Sequence, residues 1–204
     1  MNQKLKCIIL LFLLILIFLF LSINSYASTI SQNISENFFR LHILANSNSE
    51  QDQALKLKVR DKIIEYMNTL SYSGLNKEDV IILTQNNINN FQEIAEKTIS
   101  DEGYDYNVKI EIGNFYFPTK IYGNISLPAG NYDAIRISIG NAQGENWWCS
   151  LFPPLCFIDI SSGIISDESE NELKTNLSNE EFAIITDDSK TIKLKFKLVE
   201  LFSN

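Results

Sequence analysis

The sequence predicts an α+β fold, a single domain in which helices pack on one side of a mainly antiparallel sheet, behind an N-terminal signal segment. Three observations predict it: an apolar run behind a basic start, helical periodicity in the first half of the chain, and period-two alternation after it. Helices followed by a run of strands are typical of this class. With 204 residues, 45% of them hydrophobic, the chain is expected to form one core over residues 37–204.

The first segment, residues 1–27, has the three parts of a secretory signal. Two lysines precede the uncharged apolar run Cys7–Leu21, and Ser-Tyr-Ala at 25–27 supplies the small residues of a cleavage site. The run is shorter than the roughly 20 residues that span a bilayer, although the residues after it approach that length. Cleavage after Ala27 and retention as a membrane anchor both fit this pattern. In either case the rest of the chain is expected to be extracytoplasmic.

The first half of the remaining chain has the pattern of one strand and two helices. Residues 28–36 are rich in Ser, Asn and Gln and are expected to form a flexible lead-in. Alternating apolar positions predict a strand over 38–46, and the polar residues 47–49 supply a turn and an N-cap. A helix is expected over 50–70, since acids in its first turn suit the helix dipole, and a second helix over 77–100.

The second half has the period of strands. Nearly perfect alternation over 104–112 predicts a half-buried strand. Gly-Asn at 113–114 is a candidate hairpin turn into a further strand over 115–122. Another strand is expected over 132–140, and apolar residues alternate with lysines again at 193–198.

The net charge and its placement exclude several classes of function. The chain carries a formal net charge of −8, so neither nucleic-acid binding nor a polybasic membrane surface is expected, and membrane contact is expected only through an uncleaved first segment. Acids concentrate in 159–188, which is expected to be solvated helix or loop. Four cations, Lys56, Lys58, Arg60 and Lys62, lie close together on the first helix. They form either a solvated face with i,i+4 ion pairs or a partner-binding patch.

Residues that could perform catalysis are few. His42 is the only histidine, so a Ser–His–Asp arrangement would require it, with Asp52 or Asp61 as the orienting acid. No serine has the G-x-S-x-G frame, and metalloprotease, P-loop and EF-hand motifs are absent from the sequence. We therefore expect no enzyme, no cofactor and no metal. The alternative is a secreted hydrolase that acts on cell wall or peptide through His42.

The aromatic and cysteine residues gather in one short segment. Cys149 and Cys156 bracket two prolines, and in an oxidising compartment this spacing indicates a disulfide-closed loop. Reduced core thiols are a less favoured alternative, and redox chemistry normally needs a closer C-x-x-C pair. Trp147 and Trp148 directly precede the loop. They serve either as core residues or as a rigid surface for a partner, or one tryptophan does each.

Two long motifs resemble those of a known protein family. The segment 42–61 reads His-Ile-Leu-Ala-Asn-Ser-x-Ser-x-x-Asp-Gln-x-Leu-Lys-Leu-x-Val-Arg-Asp, and 146–157 reads Asn-Trp-Trp-Cys-x-Leu-Phe-Pro-Pro-Leu-Cys-Phe. Both resemble signatures of the stage II sporulation protein R family, and the similarity covers 38–158. One departure is Asn48, where the family usually has Asp.

The resemblance implies a signalling protein of endospore-forming bacteria. Such a protein is made in the forespore and secreted across the forespore membrane into the intermembrane space, unless it stays anchored. The implied partner is a membrane-embedded aspartic protease, which the protein activates and which cleaves the precursor of an early mother-cell sigma factor. We expect the partner-binding residues to be His42, Asn46, Ser47, Asp52, Gln53, Lys56, Arg60, Trp147, Trp148, Pro153 and Pro154.

Overall fold

The computed structural model describes residues 3–70, 74–156 and 167–186. Its elements in chain order are α1 (Gln3–Glu36), β1 (Phe39–Leu44), α2 (Glu50–Thr69), α3 (Lys77–Asn86), α4 (Ile88–Asp101), β2 (Val108–Phe117), β3 (Lys120–Tyr122), β4 (Ile125–Leu127), β5 (Gly130–Ile139), β6 (Asn146–Phe152), α5 (Asp167–Asn176) and α6 (Asn179–Thr186). The α+β class is confirmed. The alternating segment at 193–198 lies outside the described residues.

The main sheet is mixed and has the strand order β2-β5-β1-β6. The pairs β2–β5 and β1–β6 are antiparallel, whereas β1 and β5 run parallel. A parallel pair needs a crossover connection, and here the chain between β1 and β5 contains three helices and three strands. A separate two-stranded antiparallel sheet is formed by β3 and β4.

Each face of the main sheet is covered by a different set of elements. Helices α2, α3 and α4 pack on one face, as expected, and bury the larger core there. The opposite face is covered by the end of α1, the small β3–β4 sheet, α5 and α6. The sequence did not predict this second layer, because each of its elements contributes too few apolar residues to produce a clear periodicity.

The two predicted helices are capped by polar side chains, and the second is divided. Ser49 caps α2, since its hydroxyl accepts a hydrogen bond from the Asp52 amide. The helix expected over 77–100 is α3 followed by α4, and Asn87 separates them. The Asn87 side-chain amide donates to the Leu83 carbonyl at 2.8 Å and its oxygen accepts from the Tyr66 hydroxyl at 2.7 Å. These bonds stabilise a non-helical backbone at Asn87.

The segment expected as a flexible lead-in, 28–36, is instead the last part of α1. Ile34 is fully buried, and the Ser31 hydroxyl donates to the Ala129 carbonyl at 2.9 Å. The polar composition had suggested mobility, but one apolar face is sufficient to dock the helix end. The whole of α1 is long and apolar enough, by length and composition, to cross a membrane.

The hairpin turn expected at 113–114 is wrong, because β2 continues through these residues. Gly113 pairs with Ala134 and Asn114 with Asp133, in an uninterrupted register with β5. The Asn114 side chain donates to the Asp133 carboxylate at 3.2 Å. Pairing with a ten-residue partner strand thus outweighs the local turn preference of Gly-Asn.

Candidate functional site

The two signature segments meet at the pairing of β1 with β6. His42 lies opposite Trp148, and Ile43 lies opposite Trp147. Successive strand residues face opposite sides, so the two tryptophans lie on different faces of the sheet. Both are partly exposed. The candidate site therefore has three parts: the turn between β1 and α2, the face that carries the helices, and the opposite face.

The turn between β1 and α2 is organised around the Asp52 carboxylate. This carboxylate accepts from the Ser47 hydroxyl at 2.6 Å and from the Asn46 amide at 2.9 Å, and Asp52 is only 5% exposed. Burial alone would raise the pKa of Asp52, but hydrogen bonds from Ser47, Asn46, Tyr106 and Ser49 outweigh it and lower the pKa. Asp52 is thus held as an anion by its own chain.

The same turn forms hydrogen bonds with the connection between β5 and β6. The Asn46 side-chain oxygen accepts from the Asn141 amide at 2.9 Å, and the Asn48 side-chain oxygen accepts from the Glu145 amide at 2.6 Å. Asn48 is the position at which this sequence departs from the family pattern. An amide oxygen makes this hydrogen bond, so the position needs an acceptor and no charge.

Gln53 and Lys56 complete this internal network. The Lys56 ammonium donates to the Gln53 side chain at 2.6 Å and to the Glu145 carbonyl at 2.9 Å, while the Gln53 amide donates to the Ser47 carbonyl at 2.9 Å. Lys56 is buried, and burial lowers its pKa from the ordinary value, although Glu145 opposes the effect. Gln53 and Lys56 therefore use these polar atoms for hydrogen bonds within the protein.

On the helix face, the structure brings together one residue from each signature. The Arg60 guanidinium lies over the Trp147 ring, 5.0 Å from its centroid, and forms an ion pair with Asp61 at 2.6 Å. Arg60 and Trp147 are both partly exposed. This contact ties α2 to β6 and leaves a cationic and aromatic surface.

On the opposite face, His42 is buried beside aromatic rings. Its ring centroid is 5.5 Å from that of Trp148 and 5.6 Å from that of Phe117, and its Nε2 lies 2.9 Å from the Asn146 side-chain oxygen. Burial lowers the pKa of His42 to about 4, and the nearby cations add to this effect. The ring is therefore neutral at pH 7. Its hydrogen-bond partner in the described part of the chain is Asn146, so neither acid considered for a catalytic triad orients it.

Arg40 is a further residue of this site, which the sequence motifs did not indicate. It is fully buried, and its guanidinium donates to the Tyr122 hydroxyl at 2.6 Å and to the Cys149 carbonyl at 3.4 Å. The same group lies 4.2 Å from the Phe117 ring centroid and 4.8 Å from that of Tyr132. Within the described ranges it has no carboxylate partner. An arginine inside an apolar strand was the signal that could have identified it.

The disulfide loop follows directly after β6. Cys149 and Cys156 are bonded, as expected, and the Ser150 carbonyl accepts from the Leu155 and Cys156 amides at 3.0 and 3.1 Å. Pro153 is buried and Pro154 is partly buried, so the prolines shape the loop more than they present a surface. A cleft of about 240 Å³ lies beside it. Its lining residues are Lys120, Ile121, Tyr122, Gly123, Asn146, Trp147, Trp148, Cys149, Leu155 and Cys156.

An apolar helix at the N-terminus followed by a disulfide-bonded α+β domain defines a class of extracytoplasmic proteins that are exported or membrane-anchored. The chain belongs to the stage II sporulation protein R family, whose family model, described as Stage II sporulation protein R, matches residues 35–162. Family membership implies a role in sporulation.

A characterised relative is the Stage II sporulation protein R of Bacillus subtilis (strain 168). The two chains are 40% identical over 139 residues, which cover 68% of this chain and 62% of that protein. The match therefore covers less than two thirds of the relative's length. No solved structure matches this chain.

Proposed function

We propose that this protein is an exported sporulation signal that activates a membrane-embedded aspartic protease from its extracytoplasmic side. The activated protease then cleaves the precursor of the early mother-cell sigma factor. The signal is made in the forespore and acts in the intermembrane space, either released or still held by its N-terminal helix. Family membership supports this proposal, as do the apolar α1 and the disulfide, which suit export to an oxidising space.

The observation that carries the proposal is the convergence of both signatures on the β1–β6 pair. His42, Asn46, Ser47, Asp52, Gln53 and Lys56 form hydrogen bonds within the chain and hold the shape of this region. Arg60, Trp147 and Trp148 remain partly exposed on top of that scaffold. Aromatic and arginine side chains are the usual anchors of protein interfaces. Arg60 is already held by Trp147 and Asp61, so less entropy is lost when it binds than for a free arginine.

We assign the direct contacts to Arg60, Trp147 and Trp148 and a positioning role to the buried residues of the signatures. Pro153 and Pro154 fix the disulfide loop beside the tryptophans. An activator shifts its target only by binding the active state more tightly than the inactive one. Docking that favours the active, dimeric protease meets this condition.

Co-expression in a non-sporulating host tests this function. The host carries the candidate protease and the sigma-factor precursor, with or without this protein. The proposal predicts that precursor cleavage requires both the protease and this protein. Cleavage that proceeds equally without this protein would remove the activator role.

A further inference from the structure

A second cavity lies where the end of α1 docks against the main sheet. One wall is formed by one face of residues 27–36 in α1, and the other by Asn114 and Tyr116 of β2 with residues 128–131. This α1 cavity measures about 570 Å³, within the range of about 300–1,000 Å³ that small-molecule sites occupy. None of the residues that line it belongs to either signature motif. The proposed contact with the protease therefore leaves this cavity unused.

Contacts between α1 and the rest of the domain hold the two walls of the α1 cavity together. Ile34 is fully buried, and the Ser31 hydroxyl donates to the Ala129 carbonyl at 2.9 Å. The Glu36 carbonyl, at the end of the helix, accepts from the Lys77 ammonium at 2.7 Å. Because these contacts fix the helix end, the cavity is formed before a ligand binds, which reduces the entropy cost of binding.

Side chains that both donate and accept hydrogen bonds line the α1 cavity. They are the amides of Gln32, Asn114 and Asn131 and the hydroxyl of Ser28. In the described hydrogen bonds the Gln32 amide donates to the Glu36 carboxylate at 3.0 Å, so the Gln32 oxygen remains for a ligand. A ligand hydroxyl also donates and accepts, whereas an ammonium group only donates and a carboxylate only accepts. The lining therefore matches a ligand with several hydroxyl groups.

The charge of the lining disfavours ionic ligands. Among the described residues, the lining contains one carboxylate, that of Glu36, and no cation. Phosphates and carboxylates are usually bound by arginine or lysine, so an anionic ligand would lack a partner here. Glu36 is exposed and already bonded to Gln32, so it would attract an ammonium group only weakly. An uncharged ligand fits better, and the Tyr116 ring offers apolar surface to the C–H face of a sugar.

The position of the α1 cavity along the helix corresponds to the level of lipid headgroups. Ser28 follows Ile23, the last residue of the apolar part of α1, by five positions, or about 7.5 Å along a helix. The headgroup layer extends roughly 5–7 Å beyond the hydrocarbon core on each side of a bilayer. Tyr26 lies between the two, and tyrosines are enriched at this level. While α1 stays in the membrane, the cavity therefore lies near the headgroups of the surrounding lipids.

We propose that the α1 cavity binds a sugar, and that this sugar is the uncharged headgroup of a glycolipid in the membrane that holds α1. The amide and hydroxyl side chains of both walls bond to the sugar hydroxyls. The bound headgroup holds the domain against the membrane surface. This site is separate from the residues assigned to the protease contact, so it can be tested without the protease.

Photo-crosslinking in nanodiscs tests the proposal. The full chain is placed in phosphatidylcholine nanodiscs that contain a minor fraction of diglucosyl diacylglycerol, and crosslinked lipids are identified by mass spectrometry. A crosslinking residue at position 131, in the lining, should capture the glycolipid at least about fivefold above its mole fraction. The same residue at position 25, which is exposed on α1 and outside the lining, should capture lipids close to their mole fractions.

Two leucine variants, each with the crosslinking residue at position 131, provide a matched comparison. Gln32→Leu removes one polar group from the lining, and we expect the glycolipid enrichment to fall by at least about threefold. Asn33→Leu changes the next residue of the helix, which is exposed and outside the lining, and should leave the enrichment within about twofold. Leucine is a good helix former, so both variants keep α1 intact.

An excess of the free disaccharide should lower the glycolipid crosslink, because the sugar carries the recognition. Equal enrichment at positions 131 and 25, or undiminished enrichment in Gln32→Leu, overturns the proposal. Preferential capture of phosphatidylglycerol in mixed nanodiscs shows that the uncharged chemistry is wrong. If the free disaccharide is captured and the glycolipid is not enriched, the ligand is a soluble sugar and the headgroup assignment fails. If excess disaccharide leaves the glycolipid crosslink unchanged, the site does not recognise the sugar.

Discussion

The variant Asp52→Asn tests whether Asp52 stabilises the fold or contacts the partner. The carboxylate accepts hydrogen bonds from Ser47 and Asn46. Both bonds end on the same oxygen, Oδ2, so the amide oxygen of the variant can still accept them, but the acceptor is no longer charged and an NH2 group replaces Oδ1. Hydrogen bonds to charged groups contribute about 1.5–3 kcal/mol each, compared with about 0.5–1.5 kcal/mol for bonds between neutral groups, and two such bonds are weakened here. We expect the free energy of unfolding to fall by about 2–3 kcal/mol, which lowers the Tm of a domain this size by roughly 5–10 °C.

Asp61→Asn is the matched control on the same helix. The Asp61 side chain is 62% exposed and pairs only with its neighbour Arg60 in the described ion pairs. Exposed pairs contribute about 0–1 kcal/mol, so Tm should change by no more than a few degrees. Thermal unfolding of the full chain in mild detergent, followed by circular dichroism, measures both variants.

The Tm difference between the unaltered protein and Asp52→Asn should also depend on pH. Because the folded pKa of Asp52 lies below its ordinary value, its stabilisation is complete above about pH 4 and is lost as pH falls through the folded pKa. The Tm difference between the unaltered protein and Asp52→Asn should therefore shrink below about pH 4. If Asp52→Asn unfolds like the unaltered protein but fails to activate, Asp52 contacts the partner and is not a scaffold residue.

Three other variants, one of them with a matched control, test other parts of the structure. In Gly144→Ala the new Cβ would lie 2.6 Å from the Ser47 carbonyl carbon, so thermal unfolding should show that the free energy of unfolding falls by about 1–3 kcal/mol. Gly113→Ala is the control, because its new Cβ would meet only the Phe115 ring at 3.3 Å, and its free energy of unfolding should fall by less. Cys156→Ser opens a short loop and should lose about 2 kcal/mol, and reductant should lower the Tm of the unaltered protein but not of this variant. His42→Gln should preserve full precursor cleavage, because a neutral side chain already occupies the site; lost cleavage in a folded variant would revive the hydrolase hypothesis.

Local sequence patterns correctly predicted the elements whose structure depends on residues nearby in the chain. The N-cap at Ser49 and the apolar stripe of α2 are confirmed within one or two residues. The turn expected at Gly113 failed because its structure depends on β5, about twenty residues further along the chain. The order of the strands is set by such distant pairings, and period-two alternation carries no information on them.

The residues expected to bind a partner remain a prediction, and the sequence did not predict which of them are buried and which are exposed. From the sequence, Asp52 and Lys56 are expected at the surface, because acids and lysines are rarely buried unless paired. The Glu145 carbonyl accepts a hydrogen bond from Lys56, and Tyr106 adds to the hydrogen bonds that Asp52 receives from its own turn. Arg40 was missed for the same reason, since the rings that surround it come from distant strands.

Truncation of the two tryptophans tests the assignment of residues to the buried scaffold or to the contact with the partner. Trp148 packs on His42 and also faces the cleft, so Trp148→Ala removes both core and surface contacts. Trp147 lies on the helix face, where it packs against the larger core and under the Arg60 guanidinium. Its truncation should weaken docking by about 2–4 kcal/mol, as for an interface anchor, while the variant still unfolds cooperatively.

The most direct measurement of activation adds the purified protein to spheroplasts of a non-sporulating host. The spheroplasts carry the protease with its extracytoplasmic side outward and the sigma-factor precursor inside. The proposed activator role predicts that precursor cleavage rises with added protein and saturates, and that folded Trp147→Ala requires a higher concentration. Cleavage at the same rate whether or not the protein is added would contradict it.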